Sequence, residues 1–134
     1  MDKKIFVTAS LFGMIAIILG AFGAHKLKEV LTSEQLNTFE TGVKYQIYHA
    51  FFLLFVGLNT ALTDKAKRII YFLTLFGIIF FSGSIYLLAT NSLTSFDFRT
   101  IGFVTPIGGL LLIMAWGVLL VSYLKKNHKI EIKK

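Results

Sequence analysis

The sequence predicts an all-α integral membrane protein built as a four-helix bundle, and three observations carry that prediction. Of the 134 residues, 55% are hydrophobic and one is proline, with a mean hydropathy of +0.72. Soluble domains hold roughly 45 to 50% apolar residues. Four stretches, 5–24, 45–62, 69–89 and 101–124, contain no Asp, Glu, Lys or Arg and run for 20, 18, 21 and 24 residues. About 20 apolar residues in a helix cross the roughly 30 Å of bilayer hydrocarbon. The stretches are continuous rather than alternating and far exceed the roughly 10 residues of a barrel strand, so helices satisfy the backbone here. They hold 83 of the 134 residues. The 51 left are spread over tails and loops, too few for a second domain, so 1–134 reads as a single membrane domain.

The first span follows Lys3 and Lys4 and ends in "AFGA", which invites comparison with a cleaved signal peptide. A signal core usually runs about 7 to 15 residues, and this run is longer, so the segment is expected to stay. Ala9, Gly13, Ala16, Gly20 and Gly23 recur every three or four residues along it. Small residues on one face let a second backbone approach closely, which marks that face as a packing surface. A neighbouring helix of the same chain is the favoured partner over a second copy.

Between the first two spans lies "HKLKEVLTSEQLNTFETGVK". Thr32 with Gln35 three residues later fits a capping box, so a helix should begin near Ser33. Leu36, Phe39 and Val43 recur at helical spacing opposite Gln35, Thr38 and Gly42, which predicts an amphipathic helical segment between the spans. It should lie on the membrane surface or run straight into the second span, with Gly42 as the expected bend. "TDKAKR" is a short turn that makes the second and third spans antiparallel. In "NSLTSFDFRT" the rings of Phe96 and Phe98 suit a membrane interface. Pro106 falls about one turn after Ile101 in the fourth span, where its missing N–H is tolerated as a first-turn feature or else kinks the helix. No internal repeat appears.

Charge sets the expected orientation. Lys3, Lys4, Lys65, Lys67, Arg68, Lys125, Lys126, Lys129, Lys133 and Lys134 flank one side; Lys26, Lys28, Lys44 and Arg99 flank the other, beside Glu29, Glu34, Glu40 and Asp97. Basic residues accumulate in the cytoplasm, so both termini are expected there. The net charge of +7 reports this asymmetry and not nucleic-acid binding. The tail "LKKNHKIEIKK" is read as a topology anchor that can touch anionic headgroups. With no cysteine, disulfides and thiolate metal sites are excluded.

The polar residues within the spans gather, on this reading, toward the outer side. Gln46 and His49 share a face with Gly42 on the second helix, Tyr45 flanks it, and His25 ends the first helix. Ser82, Ser84 and Tyr86 come from the third helix and Thr105 from the fourth. An unpaired polar group in hydrocarbon is costly, so these side chains should look into the bundle. His25, Tyr45, Gln46, His49, Ser82, Ser84, Tyr86 and Thr105 are therefore the candidate ligand-binding residues. Gly42, Gly83 and Gly109 join Gly13, Ala16, Gly20 and Gly23 as helix-packing positions. A simpler role for Gln46 and His49 is interhelical hydrogen bonding, worth about 0.6 kcal/mol each. A paired metal or haem site at His25 and His49 lacks carboxylate or thiolate support, so no metal and no cofactor is assigned. Ser82 or Ser84 with His49 lacks a nearby third member, so no catalytic residue is assigned either. No Walker loop, dinucleotide fingerprint or zinc-protease motif is present.

In order and spacing, "GAFGAHKLK", "FETGVKYQIYHAFFLL", "SGSIYLL" and "TPIGGLLLIMAW" resemble the YgdD/YwdK-like small bacterial membrane proteins, the domain-of-unknown-function 423 family. The resemblance covers about 11–120 and matches the motif positions at Gly20, Gly23, His25, Gly42, Tyr45, Gln46, His49, Ser82, Gly83, Thr105, Pro106 and Gly109. It departs at "HKLK", where a more neutral turn is the pattern. It implies a four-span inner-membrane protein and no defined activity. The one-sided clustering of polar residues makes the expected function binding of a lipid or small ligand in an outward-facing polar pocket, or service as an accessory subunit of a membrane complex. The alternative is a small proton-coupled carrier with His49 as titrating group, although the inner halves offer few polar residues beyond Asn59 and Thr60. Membrane lipids, a small ligand, another membrane protein or a second copy of the chain are the expected partners.

Overall fold

The computed structural model describes residues 1–131. The tail reading falls largely on side chains from Lys126 onward, outside the described residues. Four helices make the fold: α1 (Asp2–His25), α2 (Ser33–Leu58), α3 (Asp64–Ala89) and α4 (Val104–Glu131). Short 3-10 turns occupy Leu27–Glu29, Asn91–Leu93 and Phe98–Ile101. The helices pack in chain order, α1 on α2, α2 on α3 and α3 on α4. Contacts of Gly13 with Ala50, Gly23 with Phe39 and Gly57 with Ile5 run in opposite senses along α1 and α2, so this pair is antiparallel.

By length and composition α1, α3 and α4 are each able to cross a membrane. Helix α2 has the length, 26 residues, but a polar first half. Large apolar side chains such as Ile17, Phe51, Leu58 and Ile113 stand exposed on the outside of the bundle. An exterior of this kind suits acyl chains, which are as apolar as leucine.

The start of α2 follows from local chemistry. The Thr32 hydroxyl accepts from the Gln35 backbone N–H while the Gln35 side chain accepts from the Thr32 N–H, satisfying two otherwise orphaned donors. From there the helix is unbroken. The sequence reading left the amphipathic segment either on the membrane surface or running straight into a span at 45–62, with Gly42 as the expected bend. One unbroken helix runs from Ser33 through Gly42 and stops at Leu58, short of Leu62. Gly42 holds because the Tyr86 ring and Ile85 pack where its side chain would be, at 2.7 and 3.0 Å from an ideal Cβ. The helix ends at Asn59, which leaves helical geometry and accepts from the Ala61 N–H through its side chain. Asparagine offers the backbone that local alternative to helix.

This correction moves the polar residues. Ile47 and Ala50 both contact Gly13, near the middle of α1, so His49 lies level with the centre of the bundle and not at its mouth. Apolar clusters fill both ends. One gathers Ile5, Leu53, Val56 and Ile70 with their neighbours, the other Leu27, Leu31, Phe39 and Ala89. The polar band runs between them.

Helix α4 begins at Val104, preceded by 3-10 backbone over Phe98–Ile101, so Pro106 sits at the third helical position, where no intrahelical N–H bond is lost. Helices α3 and α4 approach most closely through glycines that the sequence reading did not select. A Cβ on Gly77 would meet the Leu112 side chain, and one on Gly108 would fall against the Phe80 and Phe81 backbone. Gly109 makes ordinary contact with the Phe81 ring at 3.5 Å. Gly83 departs from the packing expectation: no heavy atom lies within 4 Å of its ideal Cβ. It is therefore a small residue that no neighbour requires to be small.

Candidate functional site: a closed polar band

The candidate residues resolve into three separate links. In the first, Gln46 Nε2 donates to the Phe12 carbonyl on α1 at 2.8 Å, and the Tyr86 hydroxyl on α3 donates to Gln46 Oε1 at 2.7 Å. One amide thus bridges three helices. Close by, the Ser82 hydroxyl donates to the Gly42 carbonyl at 2.8 Å, which ties α3 to α2 beside the glycine that admits Tyr86. Gln46 is 3% exposed and Ser82 1%, so these bonds replace contacts with water that the interior cannot supply.

The second link belongs to His49, 6% exposed. Its Nδ1 lies 2.8 Å from the Tyr45 carbonyl, one turn back, and Trp116 Nε1 on α4 donates to its Nε2 at 3.3 Å. A carbonyl only accepts and an indole N–H only donates, so the ring carries its proton on Nδ1 and is neutral with both nitrogens used. The Phe52 ring stands between histidine and indole levels, 6.0 Å from the former and 4.3 Å from the latter. The third link is a hydroxyl pair, Ser84 and Thr105, at 2.6 Å between α3 and α4.

Two candidates stand outside these links. His25 is exposed at the last turn of α1. About twelve residues of helix, on the order of 18 Å, separate it from the level of His49 at Gly13, so the two imidazoles do not face one another. A paired site at His25 and His49 needs both rings at similar depth, which a span starting at Tyr45 implies and the longer α2 removes. Tyr45 is 42% exposed and lies over the Phe81 ring at 5.0 Å, on the flank of the bundle. Neither Ser82 nor Ser84 bonds to His49, and no group of three His, Asp or Glu side chains able to hold a metal occurs among the described residues.

Among the clefts on the described surface, the three most prominent are lined by none of Gln46, His49, Ser82 and Thr105. The polar side chains grouped by the sequence therefore fill one another's hydrogen bonds and surround no cavity among those clefts.

Sequence reasoning missed four polar features. Lys67, 5% exposed, belongs to the first turns of α3. Its ammonium reaches Asp2 Oδ1 at 2.9 Å and the Gly57 carbonyl at 3.1 Å. The last carbonyls of a helix lack intrahelical partners, so this cation caps α2 while it pairs with the start of α1. That pairing holds the Asp2 carboxyl below the usual aspartate range. Thr8 and Tyr71 share a hydrogen bond of 3.0 Å nearby. Asn59 Nδ2 donates to the Tyr123 hydroxyl. Thr74, fully buried, has a hydroxyl with no partner. Only a register between helices could reveal these pairs. At the other end Arg99 grips Asp97 with two bonds of 2.9 and 3.0 Å. Those bonds depress the Asp97 carboxyl to about 2.

Long apolar helices, an exterior of large aliphatic and aromatic side chains, and buried polar groups paired across helices define a multi-pass helical membrane protein. The chain belongs to the family described as "Protein of unknown function (DUF423)", whose model matches residues 19–109. It is 39% identical over 123 residues to a UPF0382 membrane protein of Staphylococcus epidermidis, covering 92% of this chain and 97% of that protein. It is 33% identical over 131 residues to the UPF0382 inner membrane protein YgdD of Escherichia coli, covering 96% and 95%. A UPF0382 membrane protein of Haemophilus influenzae is 35% identical over 116 residues, 87% and 90% of the two chains. No solved structure matches. Together with the apolar helices, these relatives place the chain in the bacterial cytoplasmic membrane.

Proposed function

We propose that this protein is a four-span accessory subunit with both termini in the cytoplasm, acting through the outer faces of its bundle while its polar band serves as an internal lock. The supporting observation is the closure of that band: Gln46 spends its amide on α1 and α3, and His49 has both nitrogens engaged. This geometry favours surface binding over an outward polar pocket. It also disfavours a proton carrier, because a second proton on His49 would set an N–H against the indole N–H of Trp116. Four spans are supported by the length of α2 and by its packing between α1 and α3, which carries its polar groups inward. Cytoplasmic termini rest on the basic flanks, Lys67 counting less because Asp2 pairs with it.

Native mass spectrometry of the protein released gently from its own membrane tests the reading. A second protein should be retained, and the His49→Ala variant should retain it equally, since His49 is interior. A bare monomer under conditions that preserve known complexes would sink the proposal. For the topology, Lys28→Cys and Lys65→Cys should react with an impermeant thiol reagent from opposite sides, the first from outside intact cells. Reaction of both from one side would remove α2 as a span.

A further inference from the structure

Residues Arg68, Phe72, Phe76 and Phe80 are spaced by four along α3 and form one stripe. The three rings stand half-exposed in a ladder, 6.4 and 6.2 Å between successive centroids. They floor a cleft of about 510 Å³ closed by Ile69, Leu73 and Leu111. A second cleft, with Lys4 and Asp64 on its walls, shares Arg68 and Phe72 with the first. The two therefore adjoin at Arg68 and Phe72, one apolar and the other charged. Among the described residues neither Lys4 nor Arg68 makes an ion pair, with Asp64 or any other carboxylate.

We propose that these two adjoining clefts together bind one anionic phospholipid, its phosphate between Lys4 and Arg68 and an acyl chain laid along the phenylalanine ladder. Length supports this occupant. From Arg68 to Phe80 the stripe rises about 18 Å, which fits one leaflet: half of the roughly 30 Å hydrocarbon thickness plus the step up to the headgroup. Charge supports it as well. The cationic end lies where headgroups are, beside the N-terminus, and the rest of the cleft is hydrocarbon. A small soluble anion would use only the charged end. A second copy of this helix face would bring Arg68 and Lys4 against cations of its own if the two copies packed in parallel. The inference goes beyond the accessory role; it takes from that reading only the assignment of the cleft to the cytoplasmic leaflet.

Two cations against one aspartate leave a net single charge, and each basic residue near a membrane surface favours anionic lipid about fivefold. The full chain, reconstituted in equal phosphatidylglycerol and phosphatidylcholine with matched acyl chains and released into native mass spectrometry, should carry phosphatidylglycerol over phosphatidylcholine by about fivefold. The Lys4→Gln/Arg68→Gln variant leaves Asp64 uncompensated, so the preference should be lost and turn toward phosphatidylcholine. Both residues are exposed, so folding should survive. Lys125→Gln, at the same end of the bundle but outside the cleft, should keep the preference. Phe76→Ala should lose most bound lipid of either kind. Parity in the unmodified protein, or a preference unchanged by the double substitution, overturns the proposal. So does a lipid-free dimer that cross-links through Phe76→Cys. Loss of a protein partner without loss of lipid preference would count against the accessory role alone.

Discussion

Replacement of Gly108 by alanine should separate two roles that glycine can play in a membrane helix. An ideal Cβ at Gly108 lies 2.7 Å from the Phe80 carbonyl carbon and 2.8 Å from the Phe81 Cα, whereas ordinary contacts begin at 3.4 Å. Helices α3 and α4 must therefore part by about 1 Å, since the Phe81 backbone nitrogen lies closer still and backbone cannot swing aside as a side chain can. A gap of that size forfeits a quarter to a half of each contact, and on the order of twenty atom pairs at about 0.1–0.2 kcal/mol are affected, so the direct loss is about 0.5–2 kcal/mol. Strain in the overpacked site can raise this toward 3 kcal/mol. Alanine also gains about 1 kcal/mol of helix propensity over glycine. Gly83→Ala provides the control, because it earns the same propensity with no neighbour to displace. Unfolding free energy, measured by titrating SDS into protein held in mild detergent, should place Gly108→Ala about 2 kcal/mol below Gly83→Ala. Equal stabilities would refute the close approach of α4 to Phe80 and Phe81.

Tyr86→Phe should cost about 0.6 kcal/mol and no more than about 2, the range for hydrogen bonds within membranes. The same SDS titration checks it, and a double-mutant cycle with Gln46→Leu should return a non-zero coupling. Thr74→Val should be neutral to stabilising by about 1 kcal/mol, since it removes a buried hydroxyl with no partner at nearly constant shape; clear destabilisation would imply a hidden acceptor. Lys67→Met should lower stability by about 1–2 kcal/mol by leaving the Gly57 carbonyl uncapped, and the Asp2 carboxyl should rise toward 3.8, as followed by NMR titration. Asp97 has a folded-state value of about 2 against 3.8 for the free group. Its contribution to order in the α3–α4 connection is therefore fully present above 3.8 and is lost as pH falls through 2. Arg99→Ala should return the carboxyl toward 3.8, and no movement would show that the guanidinium is not its partner.

The number and order of the helices, and the capped first turn near Ser33, were legible in the sequence because they rest on local rules. Continuous apolar runs specify helices in lipid, Thr32 with Gln35 marks the first turn of α2, and the small residues of α1 mark a packing face. Depth was not legible. Counting charge-free residues placed α2 at 45–62, but helix geometry does not stop at Lys44, whose flexible side chain can remain in solvent while the backbone continues. That shift of register carried His49 from the bundle's mouth to its middle and took it out of step with His25.

The sequence by itself determined what kind of solvent surrounds this chain, since composition summed over twenty residues decides whether a helix prefers hydrocarbon. It also determined that Gln46, Ser82 and Ser84 would need partners, because an amide or hydroxyl in that medium cannot be left alone. Tertiary structure alone decided which partners: Phe12 and Tyr86 for Gln46, Trp116 for His49, Asp2 for Lys67. Such pairings depend on rotations of a few tens of degrees and shifts of one turn between helices. Those are set by where backbones can touch, at Gly42, Gly77 and Gly108, and a single helix holds no information about the groove it will meet.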